Sequence, residues 1–91
     1  MQINNIICNY KEYRSDSSNF VKTVDTSFEV NDIYIKNMIE SNTYFSQLGG
    51  YMNIEQKSNR RFGLVPIKIV CVSICGAIKK VFTFNYNQAR V

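Results

Sequence analysis

The chain has 91 residues, 45% of them hydrophobic and 20% charged, with a formal net charge of +4 and no histidine. This composition excludes a disordered polar chain, and the missing histidine removes the commonest general base and the commonest metal ligand. A chain this short buries only about 60–65% of its unfolded surface, so residues 1–91 are expected to form one α+β domain around one modest core.

Ile3–Tyr10 alternates enough apolar residues to read as a strand. It lacks the basic start of a secretory signal, and Lys11, Glu12 and Arg14 end its apolar stretch. Lys11–Asn19, with Ser15-Asp16-Ser17-Ser18, reads as a loop, and Phe20–Val24 as a short strand. Asn31–Leu48 reads as a helix. Ile35, Met38, Ile39, Phe45 and Leu48 recur at steps of three and four, with Asn42 as a polar interruption. Asn31 or Asp32 suits the helix start, and Gly49-Gly50 its end. Tyr51–Glu55 is expected as a strand and Gln56–Arg61 as a basic loop.

Phe62–Ile78 is apolar and lies between Arg60-Arg61 and Lys79-Lys80. It falls short of the ~20 apolar residues of a membrane span, contains Pro66 and Lys68, and is rich in the Val and Ile that favour strands. Gly76-Ala77 between two such runs suggests a two-residue type II′ turn and a C-terminal β-hairpin. Counting outward places Cys71 opposite Phe82, Ile69 opposite Phe84 and Ile67 opposite Tyr86. Cys75, opposite Ile78, shares this apolar face. The second face carries Val70, Val72, Ile74 and Val81 in its middle and Lys68 and Lys79 at its ends. The helix is expected to cover the first face. The second is expected to form a homodimer contact or to meet a partner, since a chain this small has few segments left to cover it; cover by residues 1–24 is the opposing outcome.

Charge is unevenly distributed. Residues 1–56 hold four cations and seven acids, whereas residues 57–91 hold seven cations and no acid. Such a segment creates a positive potential wherever it meets solvent, unless the acidic half neutralises it. Lys57, Arg60, Arg61, Lys68 and Lys79 are therefore the candidate partner-binding residues. Tyr10, Tyr13 and Tyr34 are the alternative should these cations be only solvated surface.

No catalytic, cofactor or metal site is expected. Cys71 and Cys75 lack enough companions for a metal centre and read as buried core thiols. Asp16, Asp25, Glu29 and Asp32 match no cation-binding spacing. Lys79–Phe84 interleaves cations with aromatics, as base-stacking strands of RNA-binding sheets do. It lacks their glycine, so Phe82 and Phe84 are assigned to the core.

The expected function is non-enzymatic binding. The partner would be a protein or nucleoprotein with an acidic surface, which the chain inhibits or adjusts in the cytoplasm. Size and an Asn- and Ile-rich composition suggest an accessory protein of a phage or mobile element, of the anti-defence (anti-CRISPR-like) kind. Nucleic-acid binding through residues 57–91 is the alternative.

Overall fold

A computed structural model describes residues 3–15, 21–60 and 63–88. Five strands form one antiparallel sheet: β1 (Ile3–Ser15), β2 (Val21–Val30), β3 (Tyr51–Asn59), β4 (Gly63–Val72) and β5 (Ile78–Gln88). Their spatial order is β2-β1-β5-β4-β3. Two helices, α1 (Asp32–Asn42) and α2 (Tyr44–Gln47), connect β2 to β3. The architecture is the expected α+β class with a C-terminal hairpin. No described helix is long and apolar enough to cross a membrane.

The strands are longer than the sequence suggests. Lys11–Ser15 continues β1 instead of forming a loop, and β2 runs on to Val30. Gln56–Asn59 continues β3, with Arg60 in the turn beyond it. These segments are polar because they lie on exposed ends and edges, where both faces tolerate solvent. Asp16–Phe20 and Arg61-Phe62 lie outside the described residues.

The helix begins as expected. The Asn31 side chain accepts a hydrogen bond from the Tyr34 amide at 2.8 Å. It then breaks at Thr43 rather than running on to Leu48. The Asn42 amide donates to the Met38 carbonyl and the Thr43 hydroxyl to the Ile39 carbonyl, each at 2.8 Å. Two successive side chains competing for helical carbonyls disturb the turn. Asn42 is buried, whereas Leu48 is 57% exposed and leaves the expected stripe. Gly49 adopts φ +90, and the Gly50 amide donates to the Phe45 carbonyl at 2.7 Å. A Cβ on Gly50 would collide with the Val72 carbonyl oxygen, so glycine lets the chain turn hard against β4.

One face of the sheet carries the core. Ile6 and Cys8 of β1, Ile69 and Cys71 of β4, and Phe82 and Phe84 of β5 pack against Ile35 and Met38 of α1. Tyr10 stacks on Phe82 at 4.9 Å between ring centroids. The expected helix cover over this face is thus present.

The hairpin register differs from the expected one by two residues. Ile69 lies opposite Phe82, Cys71 opposite Lys80 and Val72 opposite Lys79. Gly76-Ala77 is not a two-residue turn. Four residues, Ile74 to Ala77, separate Ser73 from Ile78, and Ser73 holds both ends. Its amide donates to the Ile78 carbonyl (3.0 Å), its carbonyl accepts from Gly76 (2.9 Å), and its hydroxyl accepts from the Ile78 amide (3.1 Å). Gly76 has φ +71, as a turn closed at its last position requires. A two-residue slip keeps the paired side chains on their faces, so Ile69, Cys71, Phe82 and Phe84 remain inside, whereas Ile67, expected opposite Tyr86, lies beyond the end of the ladder and pairs with neither neighbour. Cys75 does not: it sits in the loop and is exposed.

Candidate interaction face

The other face is crossed by no helix or strand among the described residues. Residues 3–15 do not lie across it but extend the sheet sideways as β1. The register gives this open face in rows that run across all five strands. One row is Thr23, Tyr13, Lys79, Val72 and Tyr51. The next is Asp25, Lys11, Val81, Val70 and Asn53, and the third is Ser27, Asn9, Thr83, Lys68 and Glu55. Glu29, Ile7 and Asn85 form a shorter fourth. Val70, Val72, Val81 and Ile7 are half-buried by their neighbours alone. Ile74, expected among them, is 73% exposed in the hairpin loop and covers Gly49 instead.

The candidate cations do not form one patch. Lys68 and Lys79 share the open face as expected, but about four residues of strand, roughly 13 Å, lie between their rows. Lys57 lies toward the far end of β3, and Arg60 beyond it in the exposed turn. Arg61 lies outside the described residues. Lys11 joins this face from outside the basic segment, because β1 pairs with β5 from the opposite end of the chain.

Acids sit directly across from two of these cations. Lys11 faces Asp25 of β2, and Lys68 faces Glu55 of β3. The acid-free C-terminal segment supplies β4, β5 and the end of β3, and the acid-rich half supplies β1, β2 and the rest of β3. The asymmetry in sequence becomes alternation in space. Lys79 has an aromatic neighbour, its ammonium 5.8 Å from the Tyr13 ring centroid.

Lys80 points to the covered side, 5.3 Å from the Phe45 ring and opposite Glu12. Arg14 reaches Glu12 at 3.2 Å on this side. Burial, with the Glu12 carboxylate beside it, pushes the Tyr10 hydroxyl up to about 12. This cluster borders the core, with Arg14 paired to Glu12 and Lys80 set over an aromatic ring.

Recesses arise where the sheet forks. The β4–β5 ladder ends at Lys68 and Thr83, and the β3–β4 register shifts between Glu55 and Gln56, leaving Ile67 as an extra residue. Pro66 beside it has no amide to offer. From there toward its start β4 pairs only with β3, while β5 from Phe84 onward pairs only with β1. On the helix side the fork leaves a cleft of about 450 Å³ between Ile35 and Ile39 of α1, Val65 and Pro66 of β4, and Tyr86. Asp32, Lys36 and Glu40 rim it. Burial, and to a lesser extent Asp32, pushes the Tyr86 hydroxyl up to about 12. On the open side Ile67, Ile7, Asn9 and Lys57 line a smaller depression of about 380 Å³.

The thiols divide in the same way. Burial raises Cys8 to about 11 and also raises Cys71, whereas Cys75 is lowered by hydrogen bonds from the Ala77 backbone and the Ser73 side chain. Among the described residues no three His, Cys, Asp or Glu side chains lie close enough to hold a metal ion.

No protein-family model, curated protein or solved structure matches this chain.

Proposed function

We propose that this protein is a non-catalytic binding protein that docks on a protein partner through the open face of its sheet and inhibits or adjusts that partner. The observation that carries the reading is the row Thr23, Tyr13, Lys79, Val72 and Tyr51 beside the half-buried Val81 and Val70. Tyrosines flanking an apolar strip are the composition of a protein interface, in which exposed lysines belong to the polar rim. Lys11, Lys68 and Lys79 suit a partner whose surface is acidic. The accessory, anti-defence reading rests on size and composition, and the cytoplasmic placement on the three free thiols.

Nucleic acid is the second reading. It has the cations but not their convergence, because Asp25, Glu29 and Glu55 share the same face. Acids beside the cations repel phosphate, and phosphate contacts give binding that weakens steeply with salt.

The experiment is capture from host lysate by wild type and by three folded variants: Val81→Glu and Lys68→Glu on the open face, and Lys36→Glu on α1. The expected result is one protein held by wild type and Lys36→Glu and lost by the other two. Equal capture by all four overturns the reading. Titration with a short duplex at low and raised salt tests the alternative, and a saturable, strongly salt-dependent isotherm would put nucleic acid first.

A further inference from the structure

We propose that the β3 edge is a self-association edge. Two copies of the chain pair there antiparallel about Gln56, joining their sheets into one of ten strands. The proposal does not depend on what binds the open face.

Both edges of the sheet are long, ten residues for β2 and nine for β3, and both lack proline. An edge strand presents a row of backbone donors and acceptors to any second strand, and a charge on the edge usually blocks that pairing. The block works because a two-fold axis brings a lone charge against its own copy. Two opposite charges placed two residues apart do the reverse.

β3 has this arrangement. It reads Tyr51-Met52-Asn53-Ile54-Glu55-Gln56-Lys57-Ser58-Asn59, and the extra residue of the bulge lies on β4, so β3 itself keeps its alternation. Met52 and Ile54 pack toward the core, which leaves Asn53, Glu55 and Lys57 on the open face. With Gln56 opposite Gln56 of the second copy, Glu55 faces Lys57 twice, Asn53 faces Asn59 twice, and Ile54 faces Ser58 twice. The adjacent symmetric registers place Glu55 against Glu55 or Lys57 against Lys57. Opposite charges directly across strands attract and like charges repel, so one register is selected over its neighbours.

The β2 edge lacks this complementarity. Its open-face positions Thr23, Asp25, Ser27 and Glu29 carry acids and no cation, so symmetric pairing brings acids together or gains no opposite charge. Self-association is therefore confined to one edge and stops at two copies. The two-fold axis stands perpendicular to the sheet, so both open faces lie on one side of the joined sheet and both helical layers on the other.

Sedimentation equilibrium of the full chain over a concentration series tests this. Wild type is expected to dimerise reversibly. Glu55→Lys and Lys57→Glu, each shown to be folded by circular dichroism, should weaken the dimer by about tenfold or more, and the double reversal should restore it. Gln56→Cys in a Cys75→Ser background, with oxidised glutathione, should yield a disulfide-linked dimer. A wild-type monomer at every concentration overturns the proposal. So does a dimer indifferent to both single reversals, which would lie on another surface. Single reversals that weaken the dimer without rescue by the double overturn the register.

Discussion

Phe82 and Val81 are neighbours on β5 and live in different environments. Phe82 is buried beneath α1, stacked on Tyr10 and set against Ile69. Val81 lies between Lys11 and Val70 on a face that no other described element crosses. Strand alternation creates the two faces, and a single helical connection between β2 and β3 can cover only one of them. Stability is thus concentrated on one side of the sheet, and the other side is left available for contact.

The largest expected effect breaks this comparison directly. Phe82→Ala should cost about 3–5 kcal/mol, since it removes a buried ring and leaves a cavity. Val81→Ala should cost no more than about 1 kcal/mol, because its side chain is already half in water. Urea titration of both variants measures the contrast. If Phe82→Ala does not fold, Phe82→Leu against Val81→Ala preserves the ordering. Equal costs would mean that the open face is covered in solution.

Chemical access separates the same regions by rate. Cys75 should react at once with a thiol reagent, helped by its lowered pKa. Cys8 and Cys71 should react only as the protein unfolds, since both are fully buried and desolvation raises both thiols. One equivalent labelled in native buffer and three in denaturant is the expected count. Rapid labelling of all three would show that the covered face opens readily.

The two-residue slip at the hairpin shows how much of this was legible in the sequence. Alternation in Ile67–Val72 and Ile78–Tyr86 sorted Ile69, Cys71, Phe82 and Phe84 onto one face. An even slip cannot alter that assignment, so the core survived a wrong turn. The turn itself was illegible because the Ser73 hydroxyl and backbone hold Ile78, a local competition that glycine placement does not reveal. Cys75 was misplaced for the same reason. Lys68 and Lys79 could be set on the second face by parity alone. Lys11 could not, nor could the acids that interrupt the basic segment, because their positions depend on β1 pairing with β5 and β3 with β4. No local pattern encodes those pairings. The polar ends of β1 and β3 looked like loops because strands exposed on both faces lose the alternation that identifies them.

pH sharpens the comparison on the covered side. Cys8 is raised from 9.0 to about 11, and Tyr10 and Tyr86 from 10.0 to about 12. Each group is held neutral in the fold and ionises more easily once unfolded. Their contribution is therefore complete below about pH 9 and is lost as pH rises through 11 and 12. The urea midpoint should fall between pH 9 and 11, and Tyr86→Phe should reduce that fall. A midpoint constant over this range would show that these groups ionise without sensing the fold.

The smallest expected effect lies wholly on the open face. Lys11 and Asp25 are directly opposite on β1 and β2, where an opposite-charge cross-strand pair contributes about 0.2–1 kcal/mol. A double-mutant cycle with Lys11→Ala and Asp25→Ala should return a coupling in that range, and salt should diminish it because both side chains are exposed. Lys11 against Thr23, which is opposite Tyr13, serves as the reference and should show none. The size of the coupling bears on more than stability. A measurable attraction means that the acidic edge already neutralises part of the basic segment within the fold, which weakens any long-range pull on phosphate and leaves Tyr13, Val72 and Tyr51 to carry partner recognition. A coupling of zero at low salt would instead leave Lys11 free to act with Lys68 and Lys79, and would move the balance toward an anionic partner.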